Sequence, residues 1–352
     1  NNERIYGLGQ DPMAYLDQRD RQRSMWQEWG GMRRCGNVGI PFYLSTSGYG
    51  FLLNSSWAAR FSIGRGELPD ESVGSDSTPT PWNRHELSGE NDPEKIAVLL
   101  NGGDMDLFLI YGPSFDRIHE GYAELVGHAP MLPIWVFGFM QSNNNYRTQE
   151  EFLKIGADFR EKGIPCDVLV KDWLWFKEFG DFCWSKDSFT DPSGMLKTLG
   201  KQGFHVLLSQ QPYVDRGSIN YESFKQAGYL LRLTNEEHRR PIFDHTNPEA
   251  RKAWWGYFEK IYNQGVRGYW TDMGEPENHM PGDMSYMGCR EKGHNIYSLL
   301  WNKGLYEGQR SISDERVFIL PRTNYPGIQR YGSVLWSGDV DASWEVLHDQ
   351  VV

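Results

Sequence analysis

The sequence is sparing with cysteine and spaces what it has widely. Its four cysteines (Cys35, Cys166, Cys183 and Cys289) form no C-x-x-C pair, which leaves a zinc site or a disulfide framework unsupported. Cys166 opens an apolar run and reads as a core residue. No apolar stretch approaches the ~20 residues of a membrane-spanning helix. No run of lysines and arginines suits nucleic acid or an anionic lipid surface, and 36 basic against 47 acidic residues leave a formal charge of −11. A neutral or cationic partner fits that balance better. There is no glycine-rich dinucleotide fingerprint, no internal repeat and no low-complexity segment, and no cofactor is implied. What the chain has in abundance is aromatic side chains, 14% of residues, with 14 Trp and 18 Tyr. Most of these belong in a core, but exposed ones offer flat apolar faces on which sugar rings stack. With 352 residues, 39% of them hydrophobic, the chain suits a barrel plus an accessory unit rather than one small domain.

The pattern along the chain divides into two. Residues 1–111 read as part of an N-terminal β-sandwich domain. "GIPFYLSTSGYGFLLNSSWAARFSIG" holds two apolar-aromatic runs around a Ser/Gly turn, and "KIAVLLNGGDMDLFLIYGP" reads as a second hairpin around Asn-Gly-Gly-Asp. The polar stretch from Gly66 to Glu94 between them reads as a loop. Residues 112–132 form a helical connector. From residue 133 to 352, strands alternate with helices. Thr148 and Glu151 predict a capping box, with Phe152, Ile155 and Phe159 on one helix face. Asn247, Pro248 and Gly265 mark the cap, first turn and end of another helix. The six expected strands lie in "PIWVFGFMQS", "CDVLVKDWLWF", "FHVLLSQQPYVD", "VRGYWTDMGEPE", "RVFILPRTNYPG" and "YGSVLWSGDVD". Such alternation predicts an α/β fold with parallel strands, here a (β/α)8 TIM barrel with about six strands present and the last ones missing. No signal peptide is visible. The opening "NNERIYGLGQ" leads straight into a strand and the closing "SWEVLHDQVV" stops inside a helix pattern, so the chain reads as a fragment of a longer protein.

In such barrels the chemistry gathers at the C-terminal ends of the strands. The expected strands are followed there by Gln141–Tyr146, Asp172 and Trp173, Gln210 and Gln211, Asp272 to Glu275, Arg322, and Trp336 to Asp339. Acids and an arginine on several strands of one barrel point to a site. Two chemistries use such groups: glycoside hydrolysis, which needs two carboxylates facing each other across a sugar, and metal-assisted hydrolysis, which needs a ligand cluster. His205 begins a strand, at the wrong end of the barrel, and His279 and His294 have no ligand spacing. The carbohydrate reading is better supported, and no metal is expected.

The stretch "YWTDMGEPE" resembles the signature Trp-x-Asp-x-Asn/Gly-Glu of glycoside hydrolase family 31, whose members include α-glucosidases, α-xylosidases and α-galactosidases. "RTNYPGIQRYGSVLWSGDVDASWE" resembles the family's Arg segment with Trp-x-Gly-Asp, "VKDWLWF" its second-strand segment, and "IFDHTNPEARKAWW" its Phe-Pro-Asp-Phe-Thr-Asn-Pro-x-Ala stretch. The resemblance implies Asp272 as nucleophile and Asp339 as acid/base. It implies Asp172 and Arg322 as sugar ligands, with Trp270, Trp336, Met273 and Glu275 as further substrate-binding positions. Trp270 and Trp336 fit core packing nearly as well as a pocket wall, and Glu275 fits a hydrogen-bond acceptor orienting its neighbours as well as a sugar contact. Glu277 and Asp341 read as solvated loop acids. Gly274 stands where many α-glucosidases carry Asn and is closer to the xylosidase and galactosidase branches. The implied activity is retaining, exo-acting α-glycoside hydrolysis, most simply of α-glucosidase type, on an oligosaccharide or glycoside substrate. An α-xylosidase, an α-galactosidase, an α-transglucosylase and a catalytically silent glycan-binding relative are the alternatives, and a homo-oligomer is left open.

Overall fold

The computed structural model describes residues 2–10, 15–28, 38–64 and 94–351. Cys35 and nearly all of the polar loop expected from Gly66 onward lie outside the described residues.

The N-terminal part builds two antiparallel sheets. Strands β1 (Ile5–Gln10), β2 (Arg21–Met25), β3 (Val38–Ser45), β4 (Tyr49–Leu53), β5 (Ala59–Ile63), β6 (Ile96–Leu100) and β7 (Leu107–Tyr111) sort into the orders β1-β3-β4-β7 and β2-β5-β6. β3 and β4 form the expected hairpin, with Phe42 opposite Leu52. The second expected hairpin does not form. β6 pairs with β5 and β7 with β4, so the Asn-Gly-Gly-Asp segment crosses from one sheet to the other. Trp57 lies under the crossing: a Cβ on Gly102 or Gly103 would lie 2.5 Å from its ring, so the two glycines let the crossing chain pass over it. Tyr43 and Leu53 of one sheet share a core with Met25, Phe61 and Ile63 of the other. Helix α1 (Phe115–Val126), capped by Ser114, leads out of this region.

A parallel sheet follows, in the order β14-β11-β10-β9-β8. Its strands are β8 (Met140–Ser142), β9 (Val168–Lys171), β10 (His205–Gln210), β11 (Gly268–Thr271) and β14 (Ile319–Pro321). Helices α2 (Gln149–Glu161), α3 (Pro192–Lys201), α4 (Tyr221–Gln226), α5 (Pro248–Gln264) and α7 (Tyr297–Ile312) lie between them in the chain. A short hairpin, β12 (Met284–Ser285) with β13 (Gly288–Cys289), and the single turn α6 (Arg290–Gly293) follow β11. The expected helix signals hold. Thr148 and Glu151 close a capping box on α2, Asn247 accepts from Glu249 N at the start of α5, and Gly265 ends α5 with φ +124°. Helix α8 (Trp344–Asp349) is capped by Ser343.

Two expected strands are shorter than their apolar runs suggest. Between Pro133 and Gly138 the first run makes a 3-10 turn, Ile134–Phe137, and only Met140–Ser142 joins the sheet. The sixth run stays extended without becoming a full strand. Ser333 bridges Ile319 in parallel, and Val334 N and Trp336 N donate to Ile319 O (3.0 Å) and Pro321 O (3.1 Å).

Strand side chains alternate between two apolar environments. Leu169, Val206, Leu208, Tyr269 and Ile319 face the helices, in a core with Phe152, Leu196, Trp254, Phe258 and Trp301. Val168, Val170, Leu207, Trp270 and Phe318 face the other way and pack with Trp336. Ordered on both faces, the strands hold their C-terminal ends in register.

Candidate active site

Thr271 is the last residue of β11, and Asp272 leaves the strand with its N–H donated to Gln210 O (2.9 Å). On the neighbouring strand, Arg322 follows Pro321 and donates its N–H to Thr271 O (3.3 Å). Parallel register (Thr271 opposite Pro321) thus brings the two side chains to the same end of the sheet. Both are buried, and Arg322 Nη1 lies 3.3 Å from Asp272 Oδ1. That contact is an ion pair without hydrogen-bond alignment, for Asp272 Oδ1 accepts no hydrogen bond.

The guanidinium is held chiefly by another acid. Arg322 Nε and Nη2 donate to Glu275 Oε1 and Oε2, each at 2.8 Å, in a bidentate pair with Glu275 only 1% exposed. Arg322 Nη2 also pairs with Glu277. Three carboxylates therefore surround one cation. Glu277 is not the solvated loop acid expected from the sequence. Tyr213 OH donates to its backbone carbonyl (3.3 Å), and Arg322 draws its side chain inward. The backbone turn matters here: Met273 sits at φ +57° and Asn278 at φ +60°, which folds the acids back toward the arginine.

Electrostatics follow from this crowding. Burial pushes the Asp272 carboxyl up to about 7, Glu275 and Glu277 push the same way, and Arg322 opposes them. Burial raises Glu277 as well, against the pull of Arg322. Arg322 itself is held well above its usual value by Glu275 and Asp272, in spite of its burial.

Asp172 leaves β9 at the same end of the sheet. Its carboxylate accepts from Trp173 N (2.6 Å), and burial raises it above the usual carboxylate range. Asp339, in the loop after the sixth run, adds to that rise. Asp339 also acts on Glu277. It is exposed, in the loop after Gly338 (φ +92°). Asp341 is exposed too, as expected.

The remaining expected positions lie elsewhere. Trp270 and Trp336 meet edge to face (4.9 Å, 83°) in the apolar cluster on the sheet's inner face. Met273 is half-buried and leans on the helix-side core. Among the described residues no group of three or more His, Cys, Asp and Glu could hold a metal ion, and no helix is long and apolar enough to cross a membrane.

Beside Asp172 lies a buried charge that the sequence reading does not single out. Lys171, fully buried at the end of β9, donates through Nζ to the carbonyls of Asp172 (2.9 Å) and Trp173 (3.0 Å). Burial lowers it to about 8. A lysine beside the Asp172 motif was the only signal that could have found it.

Comparison with known proteins bears on the family and the fold. Residues 129–352 match the glycosyl hydrolases family 31 TIM-barrel domain. The chain is 30% identical to an α-xylosidase of Saccharolobus solfataricus, over 99% of this chain and 45% of that protein. It is 30% identical to the human neutral α-glucosidase AB, over 74% of this chain and 30% of that protein. The crystal structure of a family 31 α-xylosidase from a soil metagenome, complexed with xylose, superimposes with a TM-score of 0.85 at 26% identity, covering 99% of this chain and 48% of that one. A Flavobacterium johnsoniae family 31 dextranase complexed with glucose gives 0.83 at 27% identity, covering 100% of this chain and 43% of that one. The chain spans about half the length of these relatives or less.

Proposed function

The chain belongs to glycoside hydrolase family 31, and from that premise we propose that it is the catalytic part of a retaining, exo-acting α-glycosidase. The observation that carries the reading is the buried Asp272–Arg322 pair at the ends of adjacent parallel strands, with Asp172 leaving the end of β9 on the same side of the sheet.

In the proposed mechanism, an Asp272 carboxylate oxygen attacks the anomeric carbon while Asp339 donates a proton to the departing glycosidic oxygen. The C–O bond to the leaving group breaks and a glycosyl ester forms on Asp272. Asp339, now ionised, takes a proton from water as that water attacks the anomeric carbon, and Asp272 leaves as a carboxylate. Configuration is inverted twice and so retained. Arg322 supplies the positive charge that favours the ionised form of Asp272 against its burial, and Glu275 with Glu277 fixes the guanidinium. Asp172 accepts hydrogen bonds from sugar hydroxyls. Trp270 and Trp336 support the pocket floor, and Met273 supports the turn that carries Asp272.

The first sugar reading is α-glucose. α-Xylose is the second, favoured by the 30% identity to an α-xylosidase across 99% of the chain. The two sugars share hydroxyl configuration and differ by one hydroxymethyl group, so a pocket of this kind discriminates them sterically. The full-length protein assayed on aryl α-glucoside, α-xyloside, α-galactoside and N-acetyl-α-galactosaminide, with the product anomer followed by proton NMR, tests the reading. Release of the α-anomer first supports it. The β-anomer first, or no turnover of any of the four, contradicts it. Added acceptor sugar in the same assay separates transfer from hydrolysis.

A further inference from the structure

We infer that Gln27, in the N-terminal sheet region, is a positioning residue for the Arg322–carboxylate cluster. Gln27 is 0% exposed, and both its peptide groups and its side-chain amide are engaged. Its Oε1 accepts from Thr323 Oγ1 (2.8 Å), the residue next to Arg322. Its Nε2 donates to Gly39 O (2.8 Å), back within the N-terminal sheets. Its N–H donates to Asn295 Oδ1 (3.2 Å). Its carbonyl accepts from His294 Nε2 (2.8 Å).

The last bond reaches further. A carbonyl only accepts, so His294 carries its proton on Nε2 and leaves Nδ1 as an acceptor. His279 Nδ1 lies 3.2 Å from it and must be the donor. His279 ends the same turn that carries Asp272, Glu275 and Glu277. Trp26 stacks on His294 (3.9 Å, 10°) and holds that ring in place. One glutamine thus grips both loops of the site: the loop after β14 through Thr323, and the loop after β11 through His294 and His279.

Apolar contact is non-directional and fixes no orientation between packed elements. Directed hydrogen bonds in a dry setting do. A shift of the Thr323 peptide moves Arg322 relative to Asp272, and small misplacements of charged groups cost rate. The competing account is that Gln27 satisfies buried polar groups and nothing more.

This inference rests on the proposed glycosidase activity, and wild-type turnover of the aryl glycosides is measured first. Gln27→Met keeps the volume and removes both side-chain bonds, while Thr323→Val removes one of them from the other side. We expect each to lower kcat about tenfold with KM within about twofold. The double variant should be no slower than the slower single, because the two changes delete one shared bond. Thr323→Ser, which keeps the hydroxyl, should recover most of the loss. Should Gln27→Met fail to fold, the Thr323 pair carries the comparison alone. An active wild type whose variants lose thermal stability but keep kcat overturns the inference, as does a double variant in which the losses multiply. An inactive wild type overturns the glycosidase reading instead.

Discussion

Arg322 and Glu275 face each other through two parallel 2.8 Å hydrogen bonds, both side chains buried, at the point where β11 and β14 end. The pair sets where the guanidinium can stand. Its Nη1 faces Asp272 at 3.3 Å. Glu275→Gln keeps the shape and one acceptor but removes the charge. It should lower kcat/KM by about tenfold to a hundredfold, well short of the loss in Asp272→Ala, and cost about 1–3 kcal/mol of stability. Steady-state kinetics and thermal denaturation of the two variants side by side check this.

The crowding of three acids on one cation predicts an acid limb. Asp272 must be ionised to attack, and burial holds its carboxyl up near about 7. With this group protonated below that pH, kcat/KM on an aryl glycoside whose leaving group needs no protonation should rise with pH and level off above about 7. Arg322→Met removes the opposing positive charge and should move the limb to higher pH. A limb at the ordinary carboxylate position near pH 4 would speak against a desolvated nucleophile.

The same shift has a stability consequence. The folded carboxyl of Asp272 binds its proton more tightly than the unfolded one, whose value is the ordinary 3.8. Its contribution is therefore fully favourable below about pH 4 and is lost as pH rises through about 7. Asp272→Asn should raise stability by about 1–3 kcal/mol at pH 8 and change it little at pH 4. Denaturant midpoints at the two pH values decide it, and a variant destabilised equally at both would contradict the account.

Trp270 and Trp336 allow a test of pocket wall against core. Trp270 sits in the inner apolar cluster with Val168, Val170, Leu207 and Phe318. Trp270→Ala should cost about 3–5 kcal/mol, while Trp336→Ala, at a partly buried position, should cost less. A Trp270→Ala variant with native stability and a raised KM would make the residue a substrate contact alone.

Much of the strand–helix order was legible because it rests on local signals. The Thr148–Glu151 box, the Asn247–Pro248 start and the Gly265 stop each depend on a few neighbouring residues. Motifs placed Asp272, Arg322 and Asp172 at strand ends for the same reason, whereas Asp339 lies in a loop beyond a run that forms no full strand. What escaped depends on distant partners. Nothing near Glu277 signals that Arg322, 45 residues on, will draw it inward. Nothing near Gln27 signals Thr323, 296 residues away. The Asn-Gly-Gly-Asp turn misled because the partner of each flanking strand was decided by sheet pairing elsewhere, with Trp57 beneath the glycines. The first and sixth apolar runs were too generous because apolarity marks burial, whereas strand length depends on a neighbour to pair with.

The central claim is that Asp272 forms a covalent bond to sugar and Asp339 moves the proton. The most direct measurement uses the full-length Asp339→Ala variant with an aryl α-glycoside whose leaving group needs no protonation. Its first step should proceed and its second should stall. Intact and peptide mass spectrometry should then find one glycosyl residue on the peptide carrying Asp272, and added azide, which needs no deprotonation, should clear it as the α-glycosyl azide. A glycosyl group on Asp339 in the Asp272→Ala variant, or azide rescue of Asp272→Ala with none of Asp339→Ala, would contradict the assignment and exchange the two roles.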